Sequence, residues 1–478
     1  MLNASVGTAQ ENRPPEQEQR SAEEAIVQKA LEPWTGDFDE MLKRRVIRVL
    51  VVYDGAFYFV EEFKQRGLTY EAMILFEKAI NKRHKLKKAK RVRIMLIPVS
   101  PDRLIPGLVE GLGDIAAANL TITAEREEKV AFSAPFTEKV QEILVGGPAF
   151  PILAAVEDLS GLEVAVRPSS SYHQSLQTLN QTLEAAGKEP VRIIALDEHL
   201  QDSMIVEMIA AGVYPATVMD NHKAKLWGQV ADKLVLQEEI VLRDGGAIAW
   251  AFRKDSPKLA EEIDAYVQKN KVGTLTTNIL IKRYLENTKY VEQATSPEEQ
   301  ARFAALVDLF KSFAGEYDFD WLLLIAQGYQ ESGLDQSLVS PVGAIGLMQL
   351  MPKTAAGDPI NISDIKKPDK NVHAGTKYLR YLVDHYFDDP AIDPLNRHLL
   401  ALAAYNAGPT RIQRLRKEAA KAGLDPNLWF NNVEIVVAKK VGREPVDYVA
   451  NIFKYYVAYS RIQEQKAAAV AAEEAAEQ

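Results

Sequence analysis

The chain of 478 residues contains no cysteine. Disulfides, thiolate metal sites and cysteine nucleophiles are therefore excluded, and no residue can carry a bacterial lipoprotein anchor. No apolar run approaches the roughly 18 residues that a membrane helix needs. Positive charge is not in excess: the net charge is −9, which disfavours a general nucleic-acid partner. The opening MLNASVGTAQENRPPEQEQRSAEE has no signal-peptide apolar region. If the protein is exported, the expectation is that its signal has been removed. No metal-ligand cluster or phosphate loop stands out, so neither a metal nor a cofactor is expected.

Hydrophobic residues at 47% and charged residues at 26% fit a soluble globular protein, and the length implies two or three domains. Residues 1 to about 38 are rich in Glu, Gln and Pro and read as a tail, with a short helix near Ala25–Leu31. From Val46 the texture changes. VIRVLVVYD, VRIMLIPV, GDIAAANLTIT, GLEVAVRP, VRIIAL, PATVMD and GGAIAWAF are short apolar runs alternating with helical segments. This is an α/β pattern, read as largely parallel. The pattern breaks near Thr288–Glu298. Beyond it, helices are expected at Ala301–Phe313, Trp321–Ser332, Val372–Phe387, Arg397–Ala407, Thr410–Ala422 and Tyr448–Glu464. The expected divisions are a tail at 1–43, an α/β domain at 44–287, a linker at 288–299, a mainly α domain at 300–462, and an Ala/Glu-rich tail at 463–478. That last segment reads as a fraying helix.

The chemistry concentrates in the second domain. Asp320 is placed to cap WLLLIAQGYQES, and Gly333 to stop it. Glu331 then stands at the end of a mostly apolar helix. A carboxyl desolvated by such a surface has a raised pKa and can serve as a general acid near neutrality. Taken alone, a last-turn glutamate is more often a solvated surface group. GAIGLMQLMP could likewise be core packing around a turn, and Tyr405 an ordinary buried aromatic.

The order of motifs changes that balance. Glu331–Ser332, GAIGLMQLMP at Gly343–Pro352, NVHAGTKYL at Asn371–Leu379, AAYNAG at Ala403–Gly408 and Tyr448 in VDYVANI resemble the lytic transglycosylases of soluble-lytic-transglycosylase, goose-lysozyme-like fold. The resemblance spans about residues 300–460. It implies Glu331 as acid and base, and Ser332 orienting either that carboxyl or a substrate acetamido group. Gln349, Met351, Ala404 and Tyr405 would line a sugar cleft, Asn406 would support it, and Tyr448 would hydrogen-bond near the carboxyl. No motif points to Asp335, Asp358 or Asp364 as the second carboxylate that ordinary glycosidases use. A single carboxyl suits the non-hydrolytic cleavage of peptidoglycan strands that the resemblance implies. This sequence departs from the family pattern at LDQSLVS and AAGDPINISD, which touches subsite preference.

Residues of about 44–285 resemble the type 2 periplasmic solute-binding fold of polar amino-acid-binding proteins, through GDIAAANLTITAEREEKVAFSAPF. The resemblance implies that Asn119, Thr121 and Arg126 hold a ligand α-carboxylate, a group that an arginine fork suits. The Ser169, Ser170 and Ser171 turn opens a helix and favours an anion. Asp220 would take an ammonium, and Tyr53 and Phe57 would wall the pocket. Arg126 also sits among Glu125, Glu127 and Glu128, where a surface ion pair is the plainer reading.

A two-lobed α/β solute-binding domain before a mainly α lysozyme-like domain is the architecture of the membrane-bound lytic murein transglycosylase F family. It implies a periplasmic enzyme peripherally attached to the outer membrane, with an amino-acid or muropeptide sensor modulating it. Two alternatives stay open: a catalytically silent peptidoglycan binder, and a hydrolytic lysozyme of the same fold.

Overall fold

The computed structural model describes residues 31–61, 64–87, 90–286, 297–442 and 444–476. The helix read near Ala25–Leu31, except its last residue, and most of the 288–299 linker lie outside them. The chain divides into two compact units. One is Leu31–Gln300 together with Ala458–Gln478, and the other centres on Ala301–Val457.

The α/β unit is built on a mixed sheet. β1 (Val46–Val51) is buried along almost its whole length, as a strand covered on both faces must be. It pairs in parallel with β4 (Arg93–Pro98) and β5 (Ile115–Thr121), while β2 (Phe59–Glu61) and β3 (Lys64–Arg66) form a separate antiparallel pair. Antiparallel pairings complete the sheet. β11 (Val235–Phe252) runs against β5, β6 (Ala131–Phe132) and β7 (Thr137–Gly146), and β10 (Ala216–Asp220) runs against β7. The expectation of largely parallel strands thus holds for β1, β4 and β5, and for the pair β8 (Glu163–Val166) with β9 (Arg192–Ala195), but not for the long strands. The cause is local. The pair Gly245–Gly246 looks like a strand start, yet the 18-residue β11 passes through it with register shifts against β7, the local irregularity glycine permits in a strand.

Two apolar cores match the two lobes. In the first, Trp250 stacks on Tyr266 with ring centres 5.7 Å apart, beside Phe76. In the second, Leu144, Leu159, Leu176 and Val218 pack together. Buried Arg48 on β1 ties its guanidinium to Asp114 at 3.1 Å, which anchors the strand whose C-terminal extension carries Asp54.

The second unit is helical. Among its described residues, extended backbone occurs only as isolated bridges, Val339 with Ile345 and Ile345 with Leu350. The Trp321–Ser332 helix has the expected bounds. Asp320 accepts the Leu322 amide at 2.8 Å, and Gly333 stops the helix at φ 63°. The helices Pro368–Tyr386, Pro394–Ala407 and Pro409–Lys421 each begin on proline, whose fixed φ suits the first turn; the periodicity alone places their starts one to four residues late.

The last helix runs unbroken from Glu444 to Ala476. The segment read as a fraying tail is helical because alanine and glutamate have high helix propensity. Ile462 joins the first-lobe core of the α/β unit, and Ala472 packs against a cluster in its second lobe.

Candidate active site

Glu331 ends the apolar Trp321–Ser332 helix, whose residues Leu322 to Gly328 are all buried. The carboxyl is half-buried. Burial pushes its pKa up to about 7. The Tyr448 hydrogen bond pulls the other way, and the like charge of exposed Glu444 adds to the rise. Tyr448, on the last helix, donates to Glu331 Oε1 at 2.7 Å.

Behind this pair lies a residue the sequence reading missed. Gln327, one turn before Glu331, is fully buried, and its Nε2 donates to the Tyr448 oxygen at 3.1 Å. With that lone pair engaged, the phenol proton is directed at Glu331. A polar side chain four residues before the glutamate on an otherwise apolar face was the available signal.

Ser332 does not meet the carboxyl in this structure. Its hydroxyl donates to the carbonyls of Gly328 and Leu347 and accepts from the Asp335 amide. It therefore ties the helix end to the GLMQ loop. Asn371 holds that loop from the Pro368–Tyr386 helix, accepting from Met348 N at 2.8 Å and donating to the Ile345 and Ile365 carbonyls. A side chain at Gly375 would lie 2.6 Å from Met348 Cβ, and Gly346 turns at φ 75°. These contacts give NVHAG and GAIG a structural reason. Tyr405 donates to the Met348 carbonyl at 2.9 Å, and the Glu331 charge contributes to its raised pKa after burial. Gln349 bonds the Leu338 and Gly346 carbonyls. Asn406 is half-buried and Met351 is 38% exposed. Ala404 is wholly buried, so its methyl packs inside the domain and forms no surface.

In the α/β unit, Phe57, Asn119, Thr121, Arg126, Ser169, Ser170, Ser171 and Asp220 line one cleft of about 660 Å³ including its open mouth. Tyr53 lines an adjoining cavity instead, where Lys466 lies over its ring. Arg126 donates to the carbonyls of Thr121 at 2.8 Å and Ser169 at 3.0 Å. Among its glutamate neighbours, Glu125 is paired with Lys129 instead. Asn119 donates to Asp220 Oδ2 at 2.7 Å, and Oδ1 of that buried carboxylate has no partner among the described residues. Burial raises Asp220 to about 6, against the opposing charge of Lys223 and the Asn119 bond. The Ser169 amide and hydroxyl are taken by Glu198, so a protein carboxylate sits at the turn where an anion was expected. Asp54, Arg167, Asp202 and Lys223 also line the cleft and escaped the sequence reading, although Lys223 follows Asp220 by three residues.

Known families match the two units separately. The profile described as "Transglycosylase SLT domain" matches residues 308–426, and "Bacterial extracellular solute-binding proteins, family 3" matches residues 57–286. Curated relatives span both. The membrane-bound lytic murein transglycosylase F 1 of Alkalilimnicola ehrlichii is 29% identical over 449 residues, covering 89% of this chain and 85% of that protein. The membrane-bound lytic murein transglycosylase F of Pseudomonas fluorescens is 29% identical over 435 residues, covering 86% and 84%. The protein of that name from Desulfosudis oleivorans is 29% identical over 371 residues, covering 74% and 79%.

Proposed function

The chain belongs to the membrane-bound lytic murein transglycosylase F family, and from that premise we propose how its residues cleave peptidoglycan. The protein is a lytic transglycosylase with an N-terminal solute-binding domain. The observation that carries the residue assignment is a single desolvated carboxyl, Glu331, with a pKa near 7 and a directed phenol donor.

Glu331 in its acid form protonates the glycosidic oxygen between N-acetylmuramic acid and N-acetylglucosamine. The C1–O bond breaks, and the substrate's acetamido oxygen stabilises the cation at C1. Glu331, now a carboxylate steadied by Tyr448, removes the proton from the muramic acid C6 hydroxyl. The C6 oxygen then bonds to C1, closing a 1,6-anhydro ring and returning the proton to Glu331. No water is consumed. A pKa near 7 serves both half-reactions, since the group must give and take a proton at one pH. Tyr405, Gln349, Met351 and Asn406 border the cleft in this reading, and Ser332 acts through the loop it anchors.

The N-terminal cleft takes a zwitterion in this reading. Arg126 and Thr121 meet the carboxylate, and the unpartnered oxygen of Asp220 meets the ammonium. Ligand-driven lobe closure would modulate the enzyme. Among the described residues no helix is long and apolar enough to cross a membrane, and the proposed location is the periplasm, peripherally on the outer membrane. The test is mass analysis of products from purified peptidoglycan. Anhydro-muropeptides are expected. Reducing ends would mean hydrolysis, and no release would mean a binding protein.

A further inference from the structure

The solute cleft contains a cation of its own. Lys223 stands on the Asn221–Gly228 helix, and its ammonium lies 2.8 Å from Asp202 Oδ2. It also lies 5.3 Å from the centre of the Phe57 ring. Burial would lower this ammonium, but Asp202, Tyr172, Asp54 and Asp220 outweigh that and hold it charged. Asp54, at the mouth of β1, is buried, and its Oδ1 accepts the amides of Ala56 and Phe57. A cation over an aromatic face with carboxylates beside it is the arrangement a basic ligand side chain would need. Here the protein fills that arrangement from within.

Asp202 cannot balance a second guest. It already bonds Arg167 Nη2 at 2.7 Å as well as Lys223, so two cations share one carboxylate. An ammonium has three donors, and Asp202 accepts from one. A ligand reaching this end of the cleft therefore meets spare ammonium N–H groups, and the carboxylate nearest to it is already shared by two cations.

We infer that Lys223 is a built-in stand-in for a basic ligand side chain, so that the cleft selects zwitterions with a distal amide or carboxylate and rejects arginine and lysine. This rests on the zwitterion reading of the cleft. It adds the class of ligand side chain and names the residue that sets it.

The test is calorimetric titration of the full chain, and of its Lys223→Ala and Lys223→Met variants, with L-glutamine, L-glutamate, L-arginine and L-lysine. Methionine keeps most of the bulk without the charge, so it covers the case in which alanine loosens the fold. Wild type is expected to bind glutamine or glutamate at least tenfold more tightly than arginine or lysine. Either variant should gain at least tenfold for a basic amino acid and lose affinity for glutamine or glutamate. Wild type binding arginine as tightly as glutamine overturns the inference. So does a variant that still binds glutamine or glutamate but gains nothing for arginine or lysine, and in that case the zwitterion reading survives. If none of the three folded proteins binds any of the four, the zwitterion reading itself falls, and the inference with it.

Discussion

Replacing Glu331 by glutamine separates two consequences of one desolvated carboxyl. Gln is nearly isosteric and can still accept the Tyr448 hydrogen bond, but it cannot supply the proton. Loss of a general acid costs at least about 100-fold, read as release of anhydro-muropeptides per minute from purified peptidoglycan. The stability effect has the opposite sign. The folded-state pKa of about 7 lies above the ordinary 4.5, so the folded protein binds the proton more tightly than the unfolded chain. Stability from this group is greatest below pH 4.5 and is lost as pH rises to about 7. At about 1.4 kcal/mol per unit, the loss approaches about 3 kcal/mol at pH 8. Glutamine carries no such penalty. The variant should therefore gain roughly 2 to 3 kcal/mol on wild type between pH 4.5 and pH 8 in urea unfolding of the helical unit. A difference that stays constant with pH would refute the desolvation argument. Turnover above a tenth of wild type would move the catalytic role to another residue.

The wild-type rate should fall as pH rises through about 7, because the acid form is consumed. Tyr448→Phe removes the contact that lowers the Glu331 pKa, so the falling limb of kcat/KM against pH should move upward; an unmoved limb contradicts the donor role. Gln327→Leu frees the phenol without touching substrate, and should move the same limb in the same direction by a smaller amount while circular dichroism stays unchanged. Ile462→Ala should cost about 2 to 5 kcal/mol in the unfolding transition of the α/β unit, although it lies late in the chain; a shift confined to the helical unit would contradict its place in that core.

What could be read beforehand follows local rules. Asp320, Trp321–Ser332 and Gly333 carry their cap, apolar face and stop within a dozen residues, so both the helix bounds and the position of Glu331 were legible. Proline helix starts follow an equally local rule, which overrides apolar periodicity at Pro368, Pro394 and Pro409. Gln327 and Lys223 are visible in the sequence as polar residues near Glu331 and Asp220, but their roles are not legible there because they are tertiary. Each makes its telling contact with a residue more than twenty positions away, Tyr448 in one case and Asp202 in the other. Ser332 shows the converse limit: the motif fixed its importance, whereas its partners, the Leu347 carbonyl above all, come from how the loop returns to the helix. The antiparallel β11 was hidden by its glycines.

The final helix bears on the order in which the chain folds during synthesis. The α/β unit is encoded first, yet Ile462 and Ala472, which complete clusters in its two lobes, follow the whole helical unit in the chain. Domains usually consolidate as they emerge. Here the first one waits for the whole helical unit to be synthesised before its closing segment arrives, a long-range closure that slows folding. A premature stop after the helical unit would therefore register first in the N-terminal unit, as a solute-binding domain that starts to fold and is left without the segment from Ala458 onward.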